Sequence, residues 1–110
     1  MSFKVLLTAD AVRDLEELHQ YIIRQDTSGK AEQVLTKIER IIKTLSEYPE
    51  RGVYPRELSS LGIREYREIF FKPYRLIYRI SADKVYILLI ADGRRDMQSL
   101  LQRRLLEKDI

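Results

Sequence analysis

The segment at residues 85–91, Val-Tyr-Ile-Leu-Leu-Ile-Ala, contains no charged side chain, so a β-strand built from it would be apolar on both faces. Such a strand is stable only when other parts of the protein cover both faces. The segment is too short to span a bilayer as a helix, which takes about 20 residues. It therefore predicts a strand at the centre of a layered fold. We expect a helical hairpin to cover one face, and a final helix, a partner chain or both to cover the other.

Two amphipathic helices are predicted in the first half of the chain. Apolar residues recur at helical spacing over residues 9–25, which Thr8 precedes as a candidate N-cap. The same spacing recurs over residues 31–45, for which Ser28 is the candidate N-cap. The break between the two helices spans only residues 26–29. Helices joined by so short a connection lie antiparallel, and each buries its apolar stripe against its neighbour or a sheet.

Three further strands and a last helix complete the predicted architecture. Short connections make the last three strands of the chain antiparallel neighbours. The order is strand, helix, helix, strand, strand, strand, helix, which predicts an α+β domain with a helical hairpin packed on a small, mostly antiparallel sheet. The remaining predicted bounds are residues 3–7, 64–72 and 74–80 for the strands, 49–62 for an irregular loop and 96–108 for the last helix.

The composition excludes several classes of chemistry. The chain has no cysteine, so it forms no disulfide and offers no thiolate ligand. Its four glycines are scattered, which excludes a glycine-rich phosphate-binding loop. Its only histidine, His19, lies at the edge of the buried stripe of the first predicted helix, and no serine elbow accompanies it. We therefore predict neither a cofactor nor a metal site.

Length and hydropathy predict a single domain in the cytoplasm. A chain of 110 residues has the size of one domain, so residues 1–110 are predicted to form one. The N-terminus lacks the apolar stretch of a signal peptide, and no segment is long and apolar enough to cross a membrane. We therefore expect a cytoplasmic protein without a membrane partner.

Basic residues are concentrated in the second half of the chain. Residues 1–60 carry nine basic and ten acidic side chains, a balance of −1, whereas residues 61–110 carry eleven and seven, a balance of +4. Arginines and aromatic rings on a sheet can bind nucleic acid or an acidic peptide. Alternatively, the arginines pair with carboxylates such as Glu68 and Asp92, and the tyrosines belong to the edge of the core. The cluster comprises Arg64, Tyr66, Arg67, Lys72, Tyr74, Arg75, Arg79, Arg94 and Arg95.

Four short motifs follow one another along the chain: FKVLLT at residues 3–8, YRE at 66–68, PYRLIYRI at 73–80 and DGRRD at 92–96. In this order they resemble the RelE/ParE superfamily of bacterial toxins from toxin–antitoxin pairs. The resemblance implies a helical hairpin against an antiparallel sheet with a C-terminal helix, which agrees with the order predicted above. It also implies a cognate antitoxin as partner. The basic rim favours an acidic antitoxin segment that folds on binding.

The RelE-like branch of the superfamily cleaves mRNA on the ribosome, and the resemblance would place its basic, phosphate-binding positions on Arg67, Arg75 and Arg95. The reaction also needs a base, and an acid for the leaving oxygen. The second strand lysine of that branch falls on Ile69 and its acid–base tyrosine on Leu101, and both are apolar here. The three arginines can stabilise charge but supply neither the base nor the acid, for which Glu68 and Lys72 are the remaining candidate bases.

The ParE-like branch resembles this chain more closely, in the helical hairpin and in the Arg-Arg-Asp turn at residues 94–96. The resemblance implies a binding protein that inhibits DNA gyrase and needs no catalytic residues. The basic second half and the last helix would then contact the target, while an uncovered apolar sheet surface receives the antitoxin. An inactive member that only binds its antitoxin is a further alternative. The candidate residues for target or antitoxin binding are Arg64, Arg67, Lys72, Tyr74, Arg75, Arg79, Arg94, Arg95, Met97 and Leu101.

Overall fold

The computed structural model describes residues 2–106, which form a four-stranded sheet with helices on both faces. The strands are β1 (Lys4–Leu7), β2 (Arg67–Phe71), β3 (Tyr74–Ser81) and β4 (Lys84–Asp92). In the sheet order β1-β4-β3-β2, β1 runs parallel to β4 and the other two pairs are antiparallel. The predicted α+β class and the mostly antiparallel sheet are therefore confirmed.

Three α-helices lie between β1 and β2, and a fourth follows β4. Within the described residues they are α1 (Ala9–Gln25), α2 (Ser28–Lys43), α3 (Arg56–Ser59) and α4 (Met97–Leu101). A π-helical turn over Gln102–Leu106 follows α4. The bounds of α1 are those predicted. The stretch predicted as an irregular loop contains α3, whose four residues are too few to show helical periodicity. The predicted end of the last helix, at residue 108, lies outside the described residues.

The N-caps of the two long helices are both threonines. Thr8 is confirmed as the cap of α1, because its hydroxyl oxygen accepts a hydrogen bond from the N–H of Ala11 at 3.1 Å. The cap of α2 is Thr27, whose hydroxyl accepts from the N–H of Lys30 at 3.0 Å. The prediction of Ser28 as this cap is wrong, since the backbone of Thr27 is still extended and Ser28 is already helical.

The helical hairpin covers one face of the sheet. Ala11 of α1 and Ile38 of α2 have no exposed surface, and they belong to one buried cluster with Leu76, Tyr78 and Ile87 of β3 and β4. This cluster is the layer predicted for the first face of β4. Its burial supplies the main apolar contact between the hairpin and the sheet.

The other face of the sheet is covered by the last helix and by α3. Ile77 of β3 and Leu89 of β4 are fully buried against Leu100 and Leu101, and Leu58 of α3 completes this second cluster. The expectation that an uncovered apolar surface of the sheet awaits the antitoxin is therefore wrong. The chain's own helices fill that position, as the need to cover both faces of β4 requires.

The backbone of β4 continues beyond the end of β1, whose last residue lies opposite Ile87. There, Arg104 Nη1 donates to the carbonyl oxygen of Leu88 at 3.0 Å, and the N–H of Ile90 donates to Asp14 Oδ2 at 3.0 Å. Arg104 and Asp14 are joined by two hydrogen bonds of 2.9 Å. This ion pair replaces the missing strand neighbour and connects α1 and the C-terminal turn to the sheet.

The hydroxyl of Tyr78 fixes the loop that leads to α3. The ring is fully buried, and its hydroxyl donates to the carbonyl of Pro49 at 2.6 Å and accepts from the N–H of Gly52 at 3.0 Å. A Cβ at Gly52 would lie 2.5 Å from this hydroxyl oxygen, so only glycine fits there. The hydroxyl therefore satisfies two backbone groups that the loop itself leaves unpaired.

We expect Tyr78→Phe to lower the free energy of unfolding by about 2 kcal/mol, because both backbone partners lose their hydrogen bond in a buried place. Urea denaturation should show a lower midpoint with an unchanged slope. The control is Tyr21→Phe, since Tyr21 is 55% exposed and its hydroxyl has no described partner. Equal stability of Tyr78→Phe and the natural chain would contradict this role for the hydroxyl.

Candidate functional site

Arg75 lies near the start of β3, on the face that the last helix covers, and it is held by two carboxylates. Its Nη1 and Nη2 donate to the two oxygens of Glu57 at 2.9 and 2.7 Å. Its Nε donates to Glu68 Oε1 at 2.7 Å. The three side chains are only 13%, 14% and 6% exposed, respectively. One guanidinium therefore bridges α3 to β2, and we call Arg75, Glu57 and Glu68 together the Arg75 cluster.

The electrostatics of the Arg75 cluster keep the arginine charged. The hydrogen bonds that Arg75 donates to Glu57 raise the pKa of Arg75, and the same contact lowers the pKa of Glu57 below its ordinary 4.5. Burial raises the pKa of Glu68 despite its hydrogen bond to Arg75. With both carboxylates ionised, the cluster carries two negative charges and one positive charge. A phosphate could reach this guanidinium only by displacing carboxylates that already occupy its hydrogen-bonding edges.

Arg67 and Arg75 lie on opposite faces of the sheet. Arg67 of β2 is opposite Tyr78, whose ring packs under the helical hairpin, whereas Arg75 is opposite Phe70. Side chains of directly opposed residues share a face, and the faces alternate along a strand. Arg95 lies in the turn after β4 and is exposed, and its charge acts on the carboxylate of Asp92. The structure therefore separates Arg67 from Arg75, so the three arginines that a RelE-like nuclease would use do not all lie on one face of the sheet.

The guanidinium of Arg67 contacts Tyr54, an exposed residue of the loop before α3. It lies 4.7 Å from the centre of the ring, and its Nη2 donates to the hydroxyl at 3.2 Å. Its Nη1 donates to the carbonyl of Gly52 at 2.9 Å. The guanidinium of Arg64 lies 5.5 Å from the centre of the same ring. Two of the predicted site residues thus meet at a tyrosine that the sequence analysis did not single out.

The turn after β4 brings a second group of predicted residues together. Arg94 donates from Nε to Asp92 Oδ1 at 2.9 Å, which lowers the pKa of Asp92 and keeps this carboxylate ionised. Tyr74 is half-buried, and burial raises the pKa of its hydroxyl. A groove of about 550 Å³ separates this turn from α1, with Tyr74, Arg95 and the exposed Tyr21 among its walls. The groove carries charges of both signs.

The remaining predicted residues are separate from these groups. Lys72 is exposed in the turn between β2 and β3, and Arg79 is exposed on β3. Met97 and Leu101 are 3% and 0% exposed, because both pack in the second apolar cluster. The structure of the free chain therefore places them in the core and not at a binding surface, and their contribution is to hold the last helix on the sheet.

The sequence analysis missed two residues at these positions, Glu57 and Tyr54. Both lie in the stretch predicted as an irregular loop, where no periodic pattern marks a contributing side chain.

Among residues 2–106, no group of three histidine, aspartate or glutamate side chains could hold a metal ion. In the same range, no helix is both long enough and apolar enough to cross a membrane.

Comparison with known families identifies the chain. Residues 5–97 match the family model described as the ParE toxin of the type II toxin–antitoxin system parDE. The chain is also similar to Toxin ParE3 of Caulobacter vibrioides, with 28% identity over 103 residues that cover 92% of this chain and 97% of that protein. The chain therefore belongs to the ParE toxin family of type II toxin–antitoxin systems.

Solved structures of related toxins share the fold. A chain of the chromosomal ParDE system from P. aeruginosa aligns with a TM-score of 0.71 and 19% identity, over 83% of this chain and 96% of that one. A chain of the RelBE2 toxin–antitoxin complex from Mycobacterium tuberculosis aligns with a TM-score of 0.60 and 24% identity, over 84% and 92%. A free mutant of the E. coli toxin RelE aligns over the whole of both chains, with a TM-score of 0.58 and 16% identity.

The two carboxylates of the Arg75 cluster should respond to pH in opposite directions. Because the pKa of Glu57 lies below 4.5, its charge stabilises the fold above about pH 4.5, and this contribution is lost as the pH falls through the lowered pKa. Because the pKa of Glu68 is raised, its ionisation costs the folded state free energy as the pH rises above 4.5.

We therefore expect Glu57→Gln to lower the free energy of unfolding by about 1–3 kcal/mol at neutral pH, with a deficit that shrinks as the pH falls below 4.5. Glu68→Gln, the matched variant, should show a deficit that is larger at low pH than at neutral pH. Urea denaturation across this pH range measures both. Parallel pH profiles for the two variants would contradict the assignment of opposite shifts.

Proposed function

We propose that this ParE-family toxin inhibits DNA gyrase by binding it in the cytoplasm, and that a cognate acidic antitoxin neutralises the toxin. The observation that carries the choice of target is the Arg75 cluster. A nuclease of the RelE type would need this guanidinium to stabilise the charge of the transition state. Here the guanidinium is already satisfied by Glu57 and Glu68, so inhibition by binding accounts better for the residues present.

Two positions at which a nuclease could carry a proton-transfer group, Leu101 and Asp92, also do not suit that role. Leu101, at the position that the resemblance assigns to an acid–base tyrosine, is fully buried in the core. Asp92 is ionised at neutral pH because Arg94 pairs with it, so it is a poor proton donor. A binding mechanism requires neither group.

The proposal of an antitoxin partner is supported by the toxin–antitoxin systems to which similar proteins belong. The family model describes the toxin of a toxin–antitoxin pair. The similar chains from P. aeruginosa and M. tuberculosis come from a ParDE system and a RelBE2 toxin–antitoxin complex. An acidic antitoxin is complementary to the basic excess of the second half of this chain.

We expect the purified chain to inhibit the supercoiling of relaxed plasmid by DNA gyrase and to leave ribosome-bound mRNA intact. Gel electrophoresis of plasmid topoisomers measures the first activity, and primer extension on translated mRNA measures the second. The control is the same preparation after heat denaturation. Cleavage of mRNA on the ribosome, or unchanged supercoiling at saturating toxin, would overturn this proposal.

A further inference from the structure

Three exposed apolar side chains meet at the β2 edge of the sheet. Val53 and Phe70 are 55% and 47% exposed, and together with Tyr54 they line a groove of about 350 Å³. The groove also contains Arg56 and the outer side of the Arg75 cluster. We call the surface formed by Val53, Tyr54, Arg56 and Phe70, together with Arg64 and Arg67 on the ring of Tyr54, the edge surface. Exposed apolar side chains grouped in this way indicate a binding surface.

The arginines of the edge surface form no ion pair within the described residues, and the charge of Arg56 acts on Glu57 and Glu68 only at longer range. Within residues 2–106, no carboxylate lies within ion-pair distance of Arg56, Arg64 or Arg67. The two carboxylates next to them, the partly buried Glu57 and the buried Glu68, both pair with Arg75. The available charge of this surface is therefore positive, and a partner that brings carboxylates would be complementary.

The backbone of β2 is open at Phe70. Val53 exchanges two backbone hydrogen bonds with Glu68, of 3.1 and 2.7 Å, on the side of β2 that faces away from β3. The backbone N–H and C=O of Phe70, two residues further along β2, point to the same side of the strand. The chain before Val53 turns away through a hydrogen bond from Arg51 N–H to the carbonyl of Tyr48, so the described residues supply no strand beside Phe70. An extended segment from outside could pair there.

We propose that the edge surface receives an extended acidic segment of the antitoxin, which pairs with the backbone of Phe70, packs apolar side chains on Val53 and Tyr54, and places carboxylates on Arg56 and Arg64. The inference rests on the proposed function in that it takes an antitoxin as the partner. An open strand edge beside apolar side chains is complementary to a polypeptide backbone, which distinguishes this partner from a nucleic acid. Tyrosine and arginine are also the residues that most often dominate binding energy.

The test compares two double variants of the full chain that remove the same charge. Arg56→Gln with Arg64→Gln alters the edge surface, and Arg24→Gln with Arg103→Gln alters two exposed arginines elsewhere that have no described ion pair. The probe is the purified protein encoded beside the toxin gene, titrated in calorimetry. We expect about a 10- to 100-fold loss of affinity for the edge variant and less than about 3-fold for the control.

Hydrogen exchange followed by NMR supplies a second readout. The amide of Phe70 should exchange rapidly in the free toxin and slowly in the complex, because it gains a backbone partner. Equal affinity loss in the two double variants, or no slowing at Phe70, would overturn the location while leaving antitoxin binding intact. If the natural chain binds no protein encoded beside it, the proposed partner fails, and with it this inference.

Two other occupants would also overturn the proposal. If sedimentation shows a dimer of the natural chain that Phe70→Lys converts to a monomer, the edge surface is an interface between copies of the toxin. If a single-stranded DNA oligonucleotide binds to the natural chain and loses affinity only in the edge variant, the surface is a nucleic-acid site.

Discussion

The burial of β4 on both faces is the constraint on which the rest of the structure depends. One face lies against the hairpin of α1 and α2, and the other against α4 and α3. Because the hairpin belongs to the N-terminal half of the chain and α4 to its C-terminal part, the strand joins the two halves. The Asp14–Arg104 pair strengthens this junction at the point where β1 ends, since each side chain satisfies a backbone group of β4.

The helices that cover β4 also determine which surfaces of the protein are available for binding. Met97 and Leu101 are occupied in the core, so binding must use the surfaces around the sheet and not its centre. On one such surface the carboxylates of Glu57 and Glu68 are turned inward onto Arg75, and no carboxylate among residues 2–106 forms an ion pair with Arg56, Arg64 or Arg67 beside them. The pairing of these acids with Arg75 thus has two consequences. The guanidinium of Arg75 is not available to bind a phosphate, and the arginines of the edge surface are available to bind an acidic partner.

Much of the fold could be predicted from the sequence because periodicity reports burial directly. The bounds of α1 and the order of the strands along the chain followed from the spacing of apolar residues. Four-residue α3 could not be predicted in this way, and the choice between Thr27 and Ser28 as a cap depends on which residue keeps an extended backbone. Nor does any local pattern report the register shift in the β3–β4 pair, where Tyr78 is opposite Ile87 but Ile77 is opposite Leu89.

The sequence by itself determined the class of the fold, the two-sided burial of β4 and the basic excess of the second half, since each depends on residue type and short-range spacing. Only the tertiary structure decided that Arg67 and Arg75 lie on opposite faces, that Arg75 is held by Glu57 and Glu68, and that Phe70 has an open strand edge. These properties depend on contacts between residues that are distant along the chain. Local propensity and periodicity carry no information about which distant side chains will meet.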